Sequence, residues 1–202
     1  MRSLHVLLIL FLWMIVGGTF AEAQRFEAGL RIGMAATQVG GDQLEGFDKA
    51  GLLGGLFVAR DLSERTSLSM EMLYIQKGSR KPVDKDDNSY YRLRLNYLEV
   101  PLMVRYKAGK KFLLEAGPSF GVLVFAQEDD QLGVIEYAPP FNDWELAGNA
   151  GLQYLLNEKW NVDVRYSVSV LPVRPFRSSY YYSYWDRGQF NEVVQLSFNY
   201  SF

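Results

Sequence analysis

The sequence predicts an all-β fold, an eight-stranded antiparallel up-and-down transmembrane β-barrel preceded by a signal peptide. Three observations carry that prediction. Apolar and polar residues alternate with a period of two, no stretch beyond the N-terminal segment is long and apolar enough for a spanning helix, and short and long connections alternate along the chain. A period of two places successive side chains on opposite faces of a strand. A bilayer admits only segments that satisfy their own backbone hydrogen bonds, which means helices or closed barrels. Without a helix of spanning length, embedding must use strands.

The 202 residues suit one domain, and the formal charge of −2 gives no basic excess for holding nucleic acid. The absence of cysteine excludes disulfides, thiolate metal sites and Cys nucleophiles together. Residues 1–23 stand apart. Arg2 makes a positive start, Leu7 to Val16 is unbroken apolar sequence, and Ala21-Glu22-Ala23 has the small-x-small form of a cleavage site. The apolar run is shorter than the roughly 20 residues of a spanning helix. Residues 1–23 are expected to be a signal peptide and residues 24–202 the outer-membrane barrel domain.

The strands follow in order. Phe26, Ala28, Leu30, Ile32 and Met34 alternate with Glu27, Gly29, Arg31 and Gly33, and a glycine-rich strand follows near Ala50 to Arg60. Thr66 to Lys77 carries Leu68, Met70, Met72 and Tyr74 on one face. Tyr90 to Lys107 is apolar at Tyr91, Leu93, Leu95 and Tyr97, then at Leu98, Val100, Leu102, Val104 and Tyr106. That change of phase predicts a bulge at Tyr97-Leu98, near Pro101. Phe112 to Gln127, Asp143 to Leu156, Trp160 to Val170 and a last strand from Val194 to Phe202 complete eight. Connections after the second, fourth and sixth strands are short, around Leu62-Ser63-Glu64, Gly109-Lys110 and Asn157-Glu158-Lys159. The others span about residues 36–49, 78–89, 128–141 and 171–189. All long loops then fall at one end, as in outer-membrane barrels with long external loops and tight periplasmic turns.

Alternation alone leaves a soluble, lipocalin-like ligand-binding barrel as a competitor, apolar within. Three features favour lipid outside. Phe26, Tyr106, Phe112, Tyr154, Trp160 and Tyr200 collect at the short-turn end as a girdle would. The opposite face carries Arg31, Glu71, Arg94, Glu99, Arg105, Glu115, Arg165 and Gln195, with Glu27 and Asp163, expected as a polar network in the lumen. Small residues and opposed charges fit the narrow interior of eight strands, where bulky aromatics would crowd. The chain also ends in aromatic-x-aromatic form, Tyr200-Ser201-Phe202, which marks Phe202 as an assembly signal.

Four segments carry a family resemblance: Phe26-Glu27-Ala28-Gly29-Leu30-Arg31-Ile32-Gly33, Tyr74-Ile75-Gln76-Lys77-Gly78, Asn96-Tyr97-Leu98-Glu99-Val100-Pro101-Leu102-Met103-Val104-Arg105-Tyr106, and Glu115-Ala116-Gly117-Pro118-Ser119-Phe120-Gly121. With these the chain after the leader resembles the PorT-like outer-membrane β-barrel family of Bacteroidota-type bacteria. The resemblance implies a barrel assembled through its C-terminal strand by the barrel-assembly machinery, and it implies no single activity.

Chemistry is sparse. The only histidine is His5, so residues 24–202 lack the base of the usual Ser–His or carboxylate–His mechanisms. Neither catalytic residues nor a cofactor are expected. Asp84-Lys85-Asp86-Asp87-Asn88 opens like a calcium loop, but Ser89 and Leu95 stand where Gly and Glu are required. Glu128-Asp129-Asp130 is a second acidic cluster, and both read as loop charge rather than a metal site. The last long loop interleaves Arg174, Arg177 and Arg187 with Tyr181 and Trp185, a composition suited to recognition. The expected role is structural, anchoring or interaction through the loops. Outer-membrane lipid, lipopolysaccharide and an envelope protein are the expected partners, and a porin-like small-solute channel is the alternative.

Overall fold

The computed structural model describes residues 26–42, 44, 46–83, 89–135, 139–175 and 188–202. The expected signal peptide lies outside them. The described residues form ten strands: β1 (Phe26–Gly40), β2 (Lys49–Asp61), β3 (Thr66–Lys81), β4 (Tyr91–Lys107), β5 (Phe112–Asp130), β6 (Gly133–Val134), β7 (Trp144–Leu155), β8 (Trp160–Ser169), β9 (Arg174–Pro175) and β10 (Gly188–Ser201). Eight are long. The two-residue β6 and β9 pair only with the ends of β5 and β10.

The long strands pair antiparallel in the order β1-β2-β3-β4-β5-β7-β8-β10, and β10 returns to β1. That last ladder runs from Gly29 opposite Ser201 to Gly40 opposite Phe190, so the sheet is a closed ring without a free edge. The three short turns repeat one device. Leu62 N–H donates to Thr66 O, Ala108 N–H to Phe112 O and Leu156 N–H to Trp160 O, at 2.8 to 2.9 Å. Ser63 Oγ and Asn157 Oδ1 accept the turn amides within their loops, and Gly109 supplies φ +103° in the middle turn.

The strands run beyond the lengths their periodicity predicts: β1 reaches Gly40, β3 Lys81 and β5 Asp130. The long connections are correspondingly shorter. Polar residues such as Gln38, Arg80 and Glu128 break the hydrophobic pattern without breaking the ladder, because beyond the bilayer a strand needs no apolar face.

Large apolar side chains point outward all round the ring and stay exposed, among them Ile32, Leu56, Met72, Val100, Phe120, Val164 and Leu196. A continuous exposed apolar band is foreign to a soluble monomer and is what a lipid environment requires. The inward side holds the buried charged and polar side chains, with apolar residues among and above them, the reverse of a soluble ligand-binding barrel. It is also tightly filled: Phe57 lies across Gly29, where a Cβ would meet its ring carbon at 2.4 Å, and the Arg105 guanidinium stacks on the same ring.

The expected bulge at Tyr97-Leu98 is not there. Inward residues of β4 keep strict alternation through Leu93, Leu95, Tyr97, Glu99, Pro101, Met103 and Arg105. The chemistry changes along the strand, not the phase. Below Leu98 the outer side is apolar and meets lipid. Above it the outer side is Asn96, Arg94 and Arg92, while Leu93, Leu95 and Tyr97 fill the lumen. The bulge sits in β5 instead: Asn96 pairs with Phe125 and Tyr97 with Leu123, leaving Val124 unpaired. The extra residue puts Val124 and Phe125 both on the outside and reverses the facing of Gln127 to Asp130.

Candidate functional site

The site is the lumen, built in three layers by inward residues from every long strand. Nearest the short turns, Asn199 Nδ2 donates to Asn161 Oδ1 at 2.6 Å, and Ser201 donates to Glu27. Above them lies a charged layer. Arg31 of β1 grips Asp163 of β8 through two bonds of 3.0 and 3.3 Å and lies 3.5 Å from Glu71 of β3. Arg165 donates to both Glu71 oxygens at 2.9 and 3.0 Å and through Nε to Glu115 of β5 at 2.6 Å. Arg105 reaches Glu71 at 3.2 Å and Glu115 at 3.5 Å, and Gln153 Nε2 donates to Glu115 at 2.5 Å.

Three guanidinium groups thus face three carboxylates, with side chains no more than 6% exposed. An isolated buried charge costs several kcal/mol, so the layer is stable only as a balanced set. Its partners sit on β1, β3, β4, β5, β7 and β8, and the set cross-braces the barrel.

One step higher, Lys77 of β3 lies between Glu145 of β7, at 3.0 Å to both oxygens, and Glu99 of β4. Asn191 Nδ2 donates to Glu145 at 3.0 Å, and the ammonium rests 5.2 Å from the Tyr97 ring centre. Ala35, Val39, Leu53, Ile75, Leu93, Leu95, Tyr97 and Val193 close the third, apolar layer.

The structure brings together Arg31, Glu71, Glu99, Arg105, Glu115 and Arg165 in the lumen. Gln195 is there too, yet its Oε1 has no hydrogen-bond partner. Arg94 is corrected: it stands on the outer wall, 3.1 Å from Asp129, because uninterrupted alternation of β4 puts even positions outside. Lys77 and Glu145 are network members missed in the sequence. Both continue the odd-numbered register of Glu71, Leu73 and Ile75, or of Ala147, Asn149 and Gln153, and that register was their only signal.

Phe26, Tyr106, Phe112, Tyr154, Trp160 and Tyr200 sit at the short-turn end. Phe112 and Tyr154 are 5.2 Å apart, and Trp160 and Tyr200 4.8 Å. Phe202 packs edge-on to Tyr200 at 6.0 Å, and its N–H donates to Ala28 O at 2.9 Å.

At the long-loop end, the acidic run 128–130 disperses. Glu128 accepts from Tyr91 and Arg174 at 2.6 Å each, Asp129 pairs with Arg92 and Arg94, and Asp130 accepts the Leu132 N–H. Arg174 is also stacked on Phe141 at 3.7 Å and buried, so it is a packing residue at the barrel mouth rather than a free donor. Arg177, Tyr181, Trp185 and Arg187 lie outside the described residues, as do Asp84 to Asn88. Asp42, in the loop after β1, accepts the Leu44 N–H at 2.9 Å, and burial pushes its carboxyl above the ordinary aspartate range.

The comparisons agree with this geometry. The family model described as outer membrane protein beta-barrel domain matches residues 20–173. Among solved structures, the fold is similar to Ail, the attachment invasion locus protein of Yersinia pestis, with TM-score 0.53 and 17% identity over 87% of this chain and 98% of that one. It is similar also to Neisserial surface protein A, with TM-score 0.51 and 9% identity over 88% and 97%. At such identities the likeness is one of fold. No curated protein sequence matches.

Proposed function

The chain belongs to the outer membrane protein beta-barrel domain family, and from that premise we propose that it is a closed, non-conducting barrel that anchors surface loops or an envelope complex. The observation that carries this reading is the filled lumen. Arg31, Arg105 and Arg165 lock onto Glu71, Glu115 and Asp163, and an apolar layer covers them. An eight-stranded ring has no spare width for water beside such a set. The lumen carboxylates that could serve as acid or base are already held, Glu71, Glu115 and Asp163 by arginines and Glu99 and Glu145 by Lys77. Residues 24–202 contain neither His nor Cys, which also supports a non-enzymatic role.

Residues 1–23 serve as a cleaved export signal, and the short turns face the periplasm. The asymmetry of turn and loop lengths supports that orientation. The PorT-like branch is the finer family placement, supported by the segments around Asn96 to Tyr106 and Glu115 to Gly121. Interaction then falls to the long-loop end.

Planar-bilayer recording on the purified, folded protein tests the reading. A silent bilayer is expected. Stable, salt-dependent current steps would replace it with the small-solute channel.

A further inference from the structure

The outer wall carries a basic, polar break at the long-loop end of β2, β3 and β4. The β2–β3 ladder runs from Asp61 opposite Ser67 to Leu53 opposite Ile75 and stops. Beyond it, Leu52 N–H donates to the side-chain Oε1 of Gln76 at 3.2 Å. A cleft of about 720 Å³ lies over this end of β2, β3 and β4. Its described lining includes five basic side chains, Lys49, Arg80, Lys81, Arg92 and Arg94, and no carboxylate.

The cations are set against one another. Arg80 stands directly opposite Arg92 in the β3–β4 ladder, with Gly78 opposite Arg94 two pairs below, on the same face. Like charges in directly opposed positions destabilise a sheet. Asp129, brought to the outer wall by the Val124 bulge, pairs with Arg92 at 3.4 Å and Arg94 at 3.1 Å. Among the described residues no carboxylate pairs with Arg80, Lys81 or Lys49, and the buried Arg94 Nε has no hydrogen-bond partner. Such an arrangement is completed by an anion with several acceptor oxygens.

The height of the cleft selects among anions. Outward residues of β4 read Val104, Leu102, Val100 and Leu98, then Asn96, Arg94 and Arg92. Those of β3 read Met70, Met72 and Tyr74, then Gln76, Gly78 and Arg80. Arg80, Arg92 and Arg94 begin where the apolar band ends, on the lipid-facing side, in the layer that headgroups occupy, while Lys49 and Lys81 line the cleft from inward positions.

We propose that this cleft binds the phosphate of an outer-leaflet lipid through Arg80, Arg92 and Arg94, with Lys49 and Lys81 at its edges. The inference rests on the reading that the long loops face outward.

The test uses the folded protein in an uncharged detergent and native mass spectrometry. The probes are bisphosphorylated lipid A, the same glycolipid with its phosphates removed, inorganic phosphate and heparin. Wild type should bind the phosphorylated lipid at least tenfold more tightly than the dephosphorylated one. Arg80→Gln combined with Arg94→Gln should lose that margin, whereas Arg60→Gln, at the opposite end of β2, should keep it. Heat-modifiable gel mobility of each variant confirms that the barrel is folded. Equal binding of the two lipids, undiminished binding by the double variant, or equally tight competition by inorganic phosphate or heparin would overturn the proposal. Labelling of the loops on intact cells separates the two readings. Lost lipid preference with surface-exposed loops sinks the lipid site alone, while loops on the periplasmic side sink both the orientation and the outer-leaflet assignment.

Discussion

Glu71 shows at the scale of one residue why the lumen is both strong and brittle. It accepts from Arg105 and Arg165 and lies beside Arg31, at 2.9 to 3.5 Å, with no exposure of its side chain. Glu71→Gln keeps the shape but leaves three guanidinium groups facing two carboxylates. Breaking a buried ion pair from one side costs about 3–5 kcal/mol. Urea unfolding of the variant in detergent micelles should show a loss of that size, and wild-type stability would refute the bracing role. Asp42 offers a pH test outside the membrane. Its carboxyl is raised in the folded state, so its contribution to stability is full below the ordinary aspartate pKa and fades as pH rises through the raised value. Asp42→Asn should remove that part of the pH dependence, read as hydrogen exchange at Leu44 between pH 3 and 7, on the order of the carboxylate range.

At the scale of the element, the β5 bulge decides which carboxylate goes where. With Val124 present, Glu128 turns to Tyr91 and Arg174 at the mouth, and Asp129 turns outward to Arg92 and Arg94. Because side chains alternate with a period of two, deleting Val124 swaps every position beyond it. Gln127→Cys should react readily with a membrane-impermeant maleimide in the otherwise native barrel and lose that reactivity when Val124 is also deleted. Equal labelling would mean the strand absorbs the deletion elsewhere. The bulge was misplaced from sequence because Tyr97-Leu98 are adjacent apolar residues, which in an ordinary half-buried strand marks a change of phase. In this barrel both faces have an apolar stretch, at different heights.

At the scale of the whole molecule, the ladder between β1 and β10 closes the ring. It joins the ends of the described chain and completes the wall behind Arg31 and Asp163. Phe202 finishes that seam through its N–H to Ala28 O and its contact with Tyr200. Deleting Phe202 should lower the yield of folded, membrane-embedded protein severalfold, measured as the fraction showing heat-modifiable gel mobility. An unchanged folded fraction would remove Phe202 from assembly.

Period-two alternation determined the strands, their two faces and the separation of short turns from long loops, because each is a local consequence of strand geometry. Which face turned inward came from the aromatic girdle and the opposed charges on the other face. The lumen charges from Arg31 to Arg165 were legible for the same reason: a polar residue at an inward position of a lipid-embedded wall has nowhere else to go. Where strands leave the membrane, that logic lapses. There polarity no longer reports facing, and Arg94, Arg92 and Asp129 took their places through the β3–β4 register and a bulge one strand away. Only closure of the ring decided that Arg165 would meet Glu71, ninety-four positions away in sequence, and that Lys77 would meet Glu145. Those pairs depend on the size and stagger of the barrel, quantities that belong to all eight long strands at once.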